Sequence, residues 1–281
     1  MAMNSFTGLL VCTILTLLYV GVLYIHPRTR PSATVSRNDD DVIKTRVIAI
    51  LFSSVLSGVV TAWLLSKDGS RTQDALKLLG IWPIPPAMEL FRSSLLITAI
   101  LFIGPLADKI VFSKGWKYLR ADIEVALTGW IGLRNYIIGP LTEEFVFRAC
   151  IVSVELASGM SPSKAIFLSP LYFGLAHLHH AYEVYLVQPD ALVLALLSSL
   201  FQFAFTTVFG WYATFLFLRT GSFWQPFIAH AFCNTMGVPK FGAKLDGPEW
   251  FTYAYNVLLV GGAAAFAAWL FPLTKTPNAI I

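Results

Sequence analysis

Ionisable residues stand in this chain where an apolar helix has no use for them. The segment Gly139-Pro140-Leu141-Thr142-Glu143-Glu144-Phe145-Val146-Phe147-Arg148 sets two carboxylates and a guanidinium in a hydrophobic run. A charge at mid-bilayer costs roughly 2.5 to 3.5 kcal/mol even on the lenient insertion scale, so such groups face a protein interior or a watery cavity. Successive helical residues are about 100° apart, so Glu143 and Glu144 point different ways. Glu144 and Arg148, at i,i+4, share a face and are expected to pair, which leaves Glu143 as the spare carboxylate. Further on, Phe173 and His177 stand one turn apart at the end of an apolar run, and His230 and Asn234 repeat the spacing with an imidazole and a carboxamide. Each set has an ordinary structural reading: an ion-pair clamp, a capping or interface histidine (His179 and His180 above all), and interhelical hydrogen-bonding glue. Gathered into one cavity they do more. A desolvated glutamate is a general base, and imidazole and carboxamide N–H groups can donate to a developing oxyanion, each donor being worth about 2.7 to 4 kcal/mol. Base, water and donors are the parts of amide hydrolysis.

Other routes to peptide cleavage find less support. The H-E-x-x-H helix of zincins and the G-x-S-x-G elbow are absent, and no aspartate lies within a span to pair with another. Glu143, His177 and His230 would still make a chemically acceptable His2Glu zinc set, so on residue types alone metal stays open. Cys233, three residues after His230, has apolar neighbours that would keep its thiol protonated. With Cys12 and Cys150 it makes an odd number of cysteines in apolar runs, expected to be small buried hydrophobes rather than a disulfide framework. The rival from another class is a non-catalytic scaffold or transporter whose buried polar groups are packing glue or a permeation path. A transporter is expected to repeat a pair of broken helices in its two halves, and the sequence has no such repeat.

The elements that must position these groups are membrane helices. Of 281 residues 56% are hydrophobic and 13% charged, against about 25% charged in a soluble domain, which excludes a water-soluble globule. The net charge of +4 is spread along the chain, with no basic face for nucleic acid. The fold class expected is all-α: one polytopic membrane domain over 1–281 with about eight transmembrane helices around an intramembrane catalytic cavity. The spans fall at 6–25, 47–65, 90–110, 136–156, 165–178, 191–218, 223–237 and 251–271. The first reads as a retained span rather than a signal peptide, since it lacks a basic leader and a small-residue cleavage site. Residues 28–46 read as a polar loop, Ser66-Lys67-Asp68-Gly69 as the stop after the second span, and the linker around Trp82-Pro83-Ile84-Pro85-Pro86 as lying along the interface. Lys and Arg favour the loops that would be cytoplasmic with the N-terminus in the lumen.

The motifs E-E-x-x-x-R at Glu143, Glu144 and Arg148, F-x-x-x-H at Phe173 and His177, and H-x-x-x-N at His230 and Asn234 occur in this order. With Leu133-Arg134-Asn135, Ala176-His177-Leu178-His179-His180 and Phe217-Leu218-Arg219-Thr220-Gly221, they resemble the type II CAAX prenyl endopeptidases, the Ras-converting enzymes, within a wider family of glutamate-dependent intramembrane proteases. The resemblance covers roughly 134–239, the expected catalytic core, and the spans of 1–110 carry little of it. It implies a protease that removes the last three residues of a protein once its CAAX cysteine is prenylated. It further implies that Glu143 and His177 activate the water, that His230 and Asn234 hold the oxyanion, and that Glu144, Arg148 and Phe173 support the site, with no metal and no cofactor. Implied partners are prenylated CAAX proteins such as Ras-type small GTPases, together with membrane lipid and no nucleic acid. The implied location is the endoplasmic reticulum membrane, multi-pass, with the site open to the cytosol. A prenyl chain gains roughly 0.8 kcal/mol per buried CH2, so such a substrate is drawn to the bilayer where a site of this kind lies.

Overall fold

A chain that buries its backbone in hydrocarbon must satisfy every N–H and C=O internally, and apolar runs of about 20 residues do so as helices. The computed structural model describes residues 3–66, 72–242 and 244–281, and among these every regular element is a helix. In chain order they are α1 (Ser5–Ile25), α2 (Asp40–Ser66), α3 (Thr72–Leu78), α4 (Ala87–Leu101), α5 (Ile103–Phe112), α6 (Leu119–Thr128) and α7 (residues 130–157). They continue with α8 (Pro162–Ala176), α9 (His179–Val187), α10 (Leu192–Thr220), α11 (Trp224–Met236) and α12 (Glu249–Thr274). The Lys67-Asp68-Gly69 stop expected after the second span lies outside the described residues.

By length and apolarity α1, α2, α10 and α12 can each cross a membrane, and α4 with α5 makes a fifth crossing if the pair is one span. Their outward faces carry large apolar side chains, Ile48, Phe52, Phe201 and Val260 each being at least 60% exposed. Water would penalise such surfaces, and lipid suits them. The protein is an all-α polytopic membrane protein. The other expected spans, 136–156, 165–178 and 223–237, are helical within α7, α8 and α11. However, α8 and α11 have 15 and 13 residues, short of a crossing, and α7 is interrupted by charge.

Two boundaries differ from expectation. The loop at 28–46 ends early, because Asp39 Oδ1 accepts from the Asp41 N–H at 3.0 Å and α2 starts at Asp40, with Asp40 and Asp41 in its first turn. The span at 90–110 is bent by 79° at Phe102. Pro105 lacks the N–H that would bond the carbonyl of Leu101, and Gly104 lets the bend settle against the backbone of Tyr255 and Leu259 in α12.

The centre of the bundle is α7. Val146, Ala149, Cys150, Ile151, Val152 and Val154 are wholly buried, enclosed by Cys12, Leu15 and Tyr19 of α1, Phe173 and Ala176 of α8, and Phe217 and Leu218 of α10. On α2, Ser53, Ser57 and Thr61 form a small-residue stripe, buried at successive turns. The Ser57 hydroxyl donates to the Ser53 carbonyl at 2.7 Å, so it brings no unsatisfied group into the interface. Beside that stripe Gly58 admits the Phe145 ring of α7, the close approach that small residues allow between membrane helices. Within α7, π-helical turns at Arg134–Ile138 and Phe145–Val152 flank the α-helical Gly139–Glu144. Their wider turns reset the register on either side of the two glutamates, a distortion found mostly at functional sites.

Candidate active site

Glu144 and Arg148 are both buried to within 1%. Arg148 Nη1 donates to Glu144 Oε1 at 3.1 Å, the i,i+4 pair expected from spacing. The same oxygen is hydrogen-bonded to Nδ1 of His230 from α11 at 2.6 Å. The guanidinium lies 4.5 Å from the Phe173 ring centroid and 5.7 Å from that of Phe209, and these faces shield it where no water reaches. Phe173 also meets His177 and His230 edge-on, at 4.6 and 6.1 Å between centroids. One aromatic ring of α8 therefore fixes the positions of a cation and two imidazoles.

Glu143 points the other way, as the helical phase requires. Its side chain is 23% exposed and lines a cavity of about 320 Å³ shared with Tyr19, Tyr136, His177 and Asn234. Its Oε2 stands 3.6 Å from His230 Nε2, too far for a hydrogen bond, so the carboxylate keeps its lone pairs for a ligand. His230 thus lies between two adjacent carboxylates, one on each ring nitrogen. For Nε2 to donate to an oxyanion it must carry a proton. That requires either a doubly protonated ring or a Glu144 that holds the proton shared with Nδ1.

His177 is tied differently. Its Nδ1 is 2.8 Å from the Phe173 carbonyl, which can only accept, so Nδ1 carries the hydrogen and Nε2 of the neutral ring is an acceptor. Asn234 Nδ2 donates to the Asn135 carbonyl at 2.9 Å. That bond uses one of its two N–H groups and leaves one free. Asn135 Oδ1 accepts in turn from Arg134 Nε at 2.9 Å. Beneath Glu143 the Tyr19 hydroxyl and Thr142 Oγ1 are 2.9 Å apart, joining α1 to α7 one residue before the free carboxylate. Tyr19, Thr142 and Phe209 carry no mark in the sequence. Asn135 stood only within the family-like Leu133-Arg134-Asn135 stretch.

The possible zinc set is not drawn together. Among the described residues the three-residue group that brings His, Cys, Asp or Glu ligand atoms within 4.8 Å is His179, His180 and Glu183, not Glu143, His177 and His230. Glu183 is already engaged by Arg37 Nη1 at 3.0 Å and His180 Nδ1 at 2.9 Å, both on Oε2, and by Arg46 Nη2 at 2.9 Å on Oε1. Two guanidiniums on one carboxylate repel a further cation, so this is an ion-pair cluster at the cavity rim. Burial would raise the Glu183 carboxyl, but the His180 hydrogen bond and the charges of Arg37 and Arg46 outweigh it and lower it to about 2. His179 Nδ1 caps α8 by donating to the Ala176 carbonyl at 2.6 Å. The cysteines are free: Cys12 and Cys150 are buried, as small hydrophobes are, whereas Cys233 is only partly buried.

Comparison with known proteins places the chain among its relatives. The family model described as Type II CAAX prenyl endopeptidase Rce1-like matches residues 125–236, a stretch that holds Glu143, His177, His230 and Asn234. The chain is 39% identical over 254 residues to a probable CAAX prenyl protease 2 of Schizosaccharomyces pombe, covering 90% of this chain and 89% of that one. It is 38% identical over 273 residues to the human CAAX prenyl protease 2, covering 94% and 80%. No solved structure gives a significant match. With relatives this similar over nearly their whole length, the chain belongs to the type II CAAX prenyl endopeptidase family.

Proposed function

We propose that this protein removes the three residues after the prenylated cysteine of CAAX proteins, with Glu143 as general base. The observation that carries this reading is that Glu143, His177 and Asn234 open onto one cavity inside a lipid-facing bundle. A water held by a Glu143 oxygen and His177 Nε2 gives its proton to Glu143 as its oxygen attacks the carbonyl carbon of the prenyl cysteine. The free N–H of Asn234 and the Nε2–H of His230 take up the oxyanion. Collapse breaks the C–N bond, and Glu143 passes its proton to the leaving amine, so that peptide and water become a carboxylate and a tripeptide. Glu144 and Arg148 orient His230 and do not touch substrate.

Substrates of the Ras type follow from the chemistry of a prenylated tail at a membrane. An endoplasmic reticulum location with the site open to the cytosol is supported by the cavity rim, where Arg37 of the α1–α2 loop, Arg46 and Arg134 gather. Basic loops stay cytoplasmic. The test uses purified protein and three peptides of one CAAX sequence: prenylated, unmodified, and carrying a saturated acyl chain of matched hydrophobicity on the cysteine. The prenylated peptide is expected to be cut fastest and the unmodified one far more slowly, because it forfeits the apolar anchor. The acylated peptide separates partitioning from specific contact. Equal cleavage of prenylated and unmodified peptides at one bulk concentration would replace this reading with a general membrane peptidase.

A further inference from the structure

The cavity that holds Glu143 has a second chemical end. Arg37, Arg46 and Arg134 line it, and among its described lining residues Glu143 is the one carboxylate. Glu183 sits behind Arg37 and Arg46 and offsets one positive charge of the three. The rim is therefore cation-rich, and it is built rather than loose. Arg46 Nε donates to the Thr29 carbonyl at 2.9 Å. Arg134 Nη1 and Nη2 donate to the Arg37 carbonyl and Asn38 Oδ1 at 3.1 and 3.0 Å, so Arg134 holds the loop that presents Arg37. Each guanidinium has five N–H donors. Among the described residues Arg37 makes its side-chain contacts through Nη1 and Arg46 through Nε and Nη2.

The geometry points to Arg37 and Arg46 as the subsite for the free α-carboxylate of the substrate, with Arg134 as their positioning residue. This inference rests on the peptidase reading given above. Arg134 and Glu143 are nine residues apart on α7, an axial separation of roughly 13 Å at helical rise. Three extended residues from a scissile carbonyl reach roughly 10 Å, the same scale as the separation of Glu143 from Arg134, the residue that holds the Arg37 backbone. A guanidinium fork matches a carboxylate in shape as well as charge. Such a subsite counts residues from the chain end, and it rejects a longer tail that has no carboxylate at that distance. The Arg134, Asn135 and Asn234 chain of hydrogen bonds links this end of the cavity to the oxyanion donor.

The experiment compares one prenylated CAAX peptide as its free acid and as its carboxy-terminal amide, on the wild type, Arg37→Gln and Arg46→Gln. The wild type is expected to cut the acid with a kcat/KM about 10- to 100-fold above that of the amide, the range of a charged hydrogen bond. Each variant should lose most of that preference, chiefly through a raised KM on the acid. Arg37→Lys should restore part of it by keeping charge without the fork. Arg37 is half-exposed, so its variants fold even if Arg46→Gln does not. Equal wild-type rates on acid and amide would overturn the subsite while leaving the peptidase reading intact, as would variants that lose both substrates alike. Failure of the wild type to cut either peptide would overturn the peptidase reading and the subsite with it.

Discussion

Two ionic networks flank the Glu143 cavity, one buried behind the glutamate and one at the rim, and they are built on opposite rules. The inner one, Glu144, Arg148 and His230, is dry. Its members are at most 7% exposed, its carboxylate is matched by one guanidinium, and aromatic rings close it off. The rim network of Arg37, Arg46, Arg134 and Glu183 meets solvent and carries more cation than anion. A balanced buried pair returns little net stability but is expensive to break, so it serves to hold geometry. An unbalanced cluster lining an open cavity attracts an anion. Charge count and burial together therefore separate the groups that position catalysis from those that meet substrate.

The largest effect expected from breaking this comparison is at Glu144. Glu144→Gln leaves Arg148 without a counter-charge where breaking a pair costs about 3 to 5 kcal/mol, and it gives His230 Nδ1 a neutral amide in place of a carboxylate. Thermal unfolding should fall sharply together with activity, and an unchanged melting temperature would erase the distinction between the two networks. Next is Asn234→Ala, expected to lower kcat by about 10²- to 10³-fold with little change in melting, as loss of one oxyanion donor does. A variant at wild-type rate would remove Asn234 from that role.

A smaller effect sharpens the rim. The Glu183 carboxyl is held at about 2 instead of its ordinary 4.5. A depressed carboxyl lends stability that is complete above the unfolded value and fades as pH falls toward the folded one. The wild type should lose stability between about pH 4.5 and 2, and Glu183→Gln should lose less over that window when melting is followed against pH. Smallest of all, chelators should leave activity unchanged, because the ligand atoms of Glu143, His177 and His230 do not converge. Stoichiometric zinc, lost and restored together with activity, would make these residues ligands instead.

What could be read from sequence followed the range of the interaction. The Glu144–Arg148 pair and the divergence of Glu143 are properties of one helix, and they were legible from spacing. The bond from His230 Nδ1 to Glu144 joins α11 to α7 across 86 positions, which no local period encodes. As a result, a residue expected from the resemblance only as an oxyanion donor is also the link between two carboxylates. The bend at Phe102 had a signal in Gly104-Pro105 that the run of hydrophobic residues masked. Arg37 fell in a segment that composition marks only as a polar loop, and Arg46 at its end. Their meeting with Arg134 depends on how α2 packs against α7.

The central claim is that Glu143, the carboxylate left open to the cavity, takes the proton from water. The most direct measurement is release of the intact carboxy-terminal tripeptide from a prenylated CAAX peptide by purified wild type and Glu143→Gln, read by mass alongside the melting temperature of each. Glutamine keeps the shape and removes the base. The account predicts tripeptide from the wild type, almost none from the variant, and the same melting temperature for both. A folded Glu143→Gln that releases the tripeptide at near wild-type rate would contradict it.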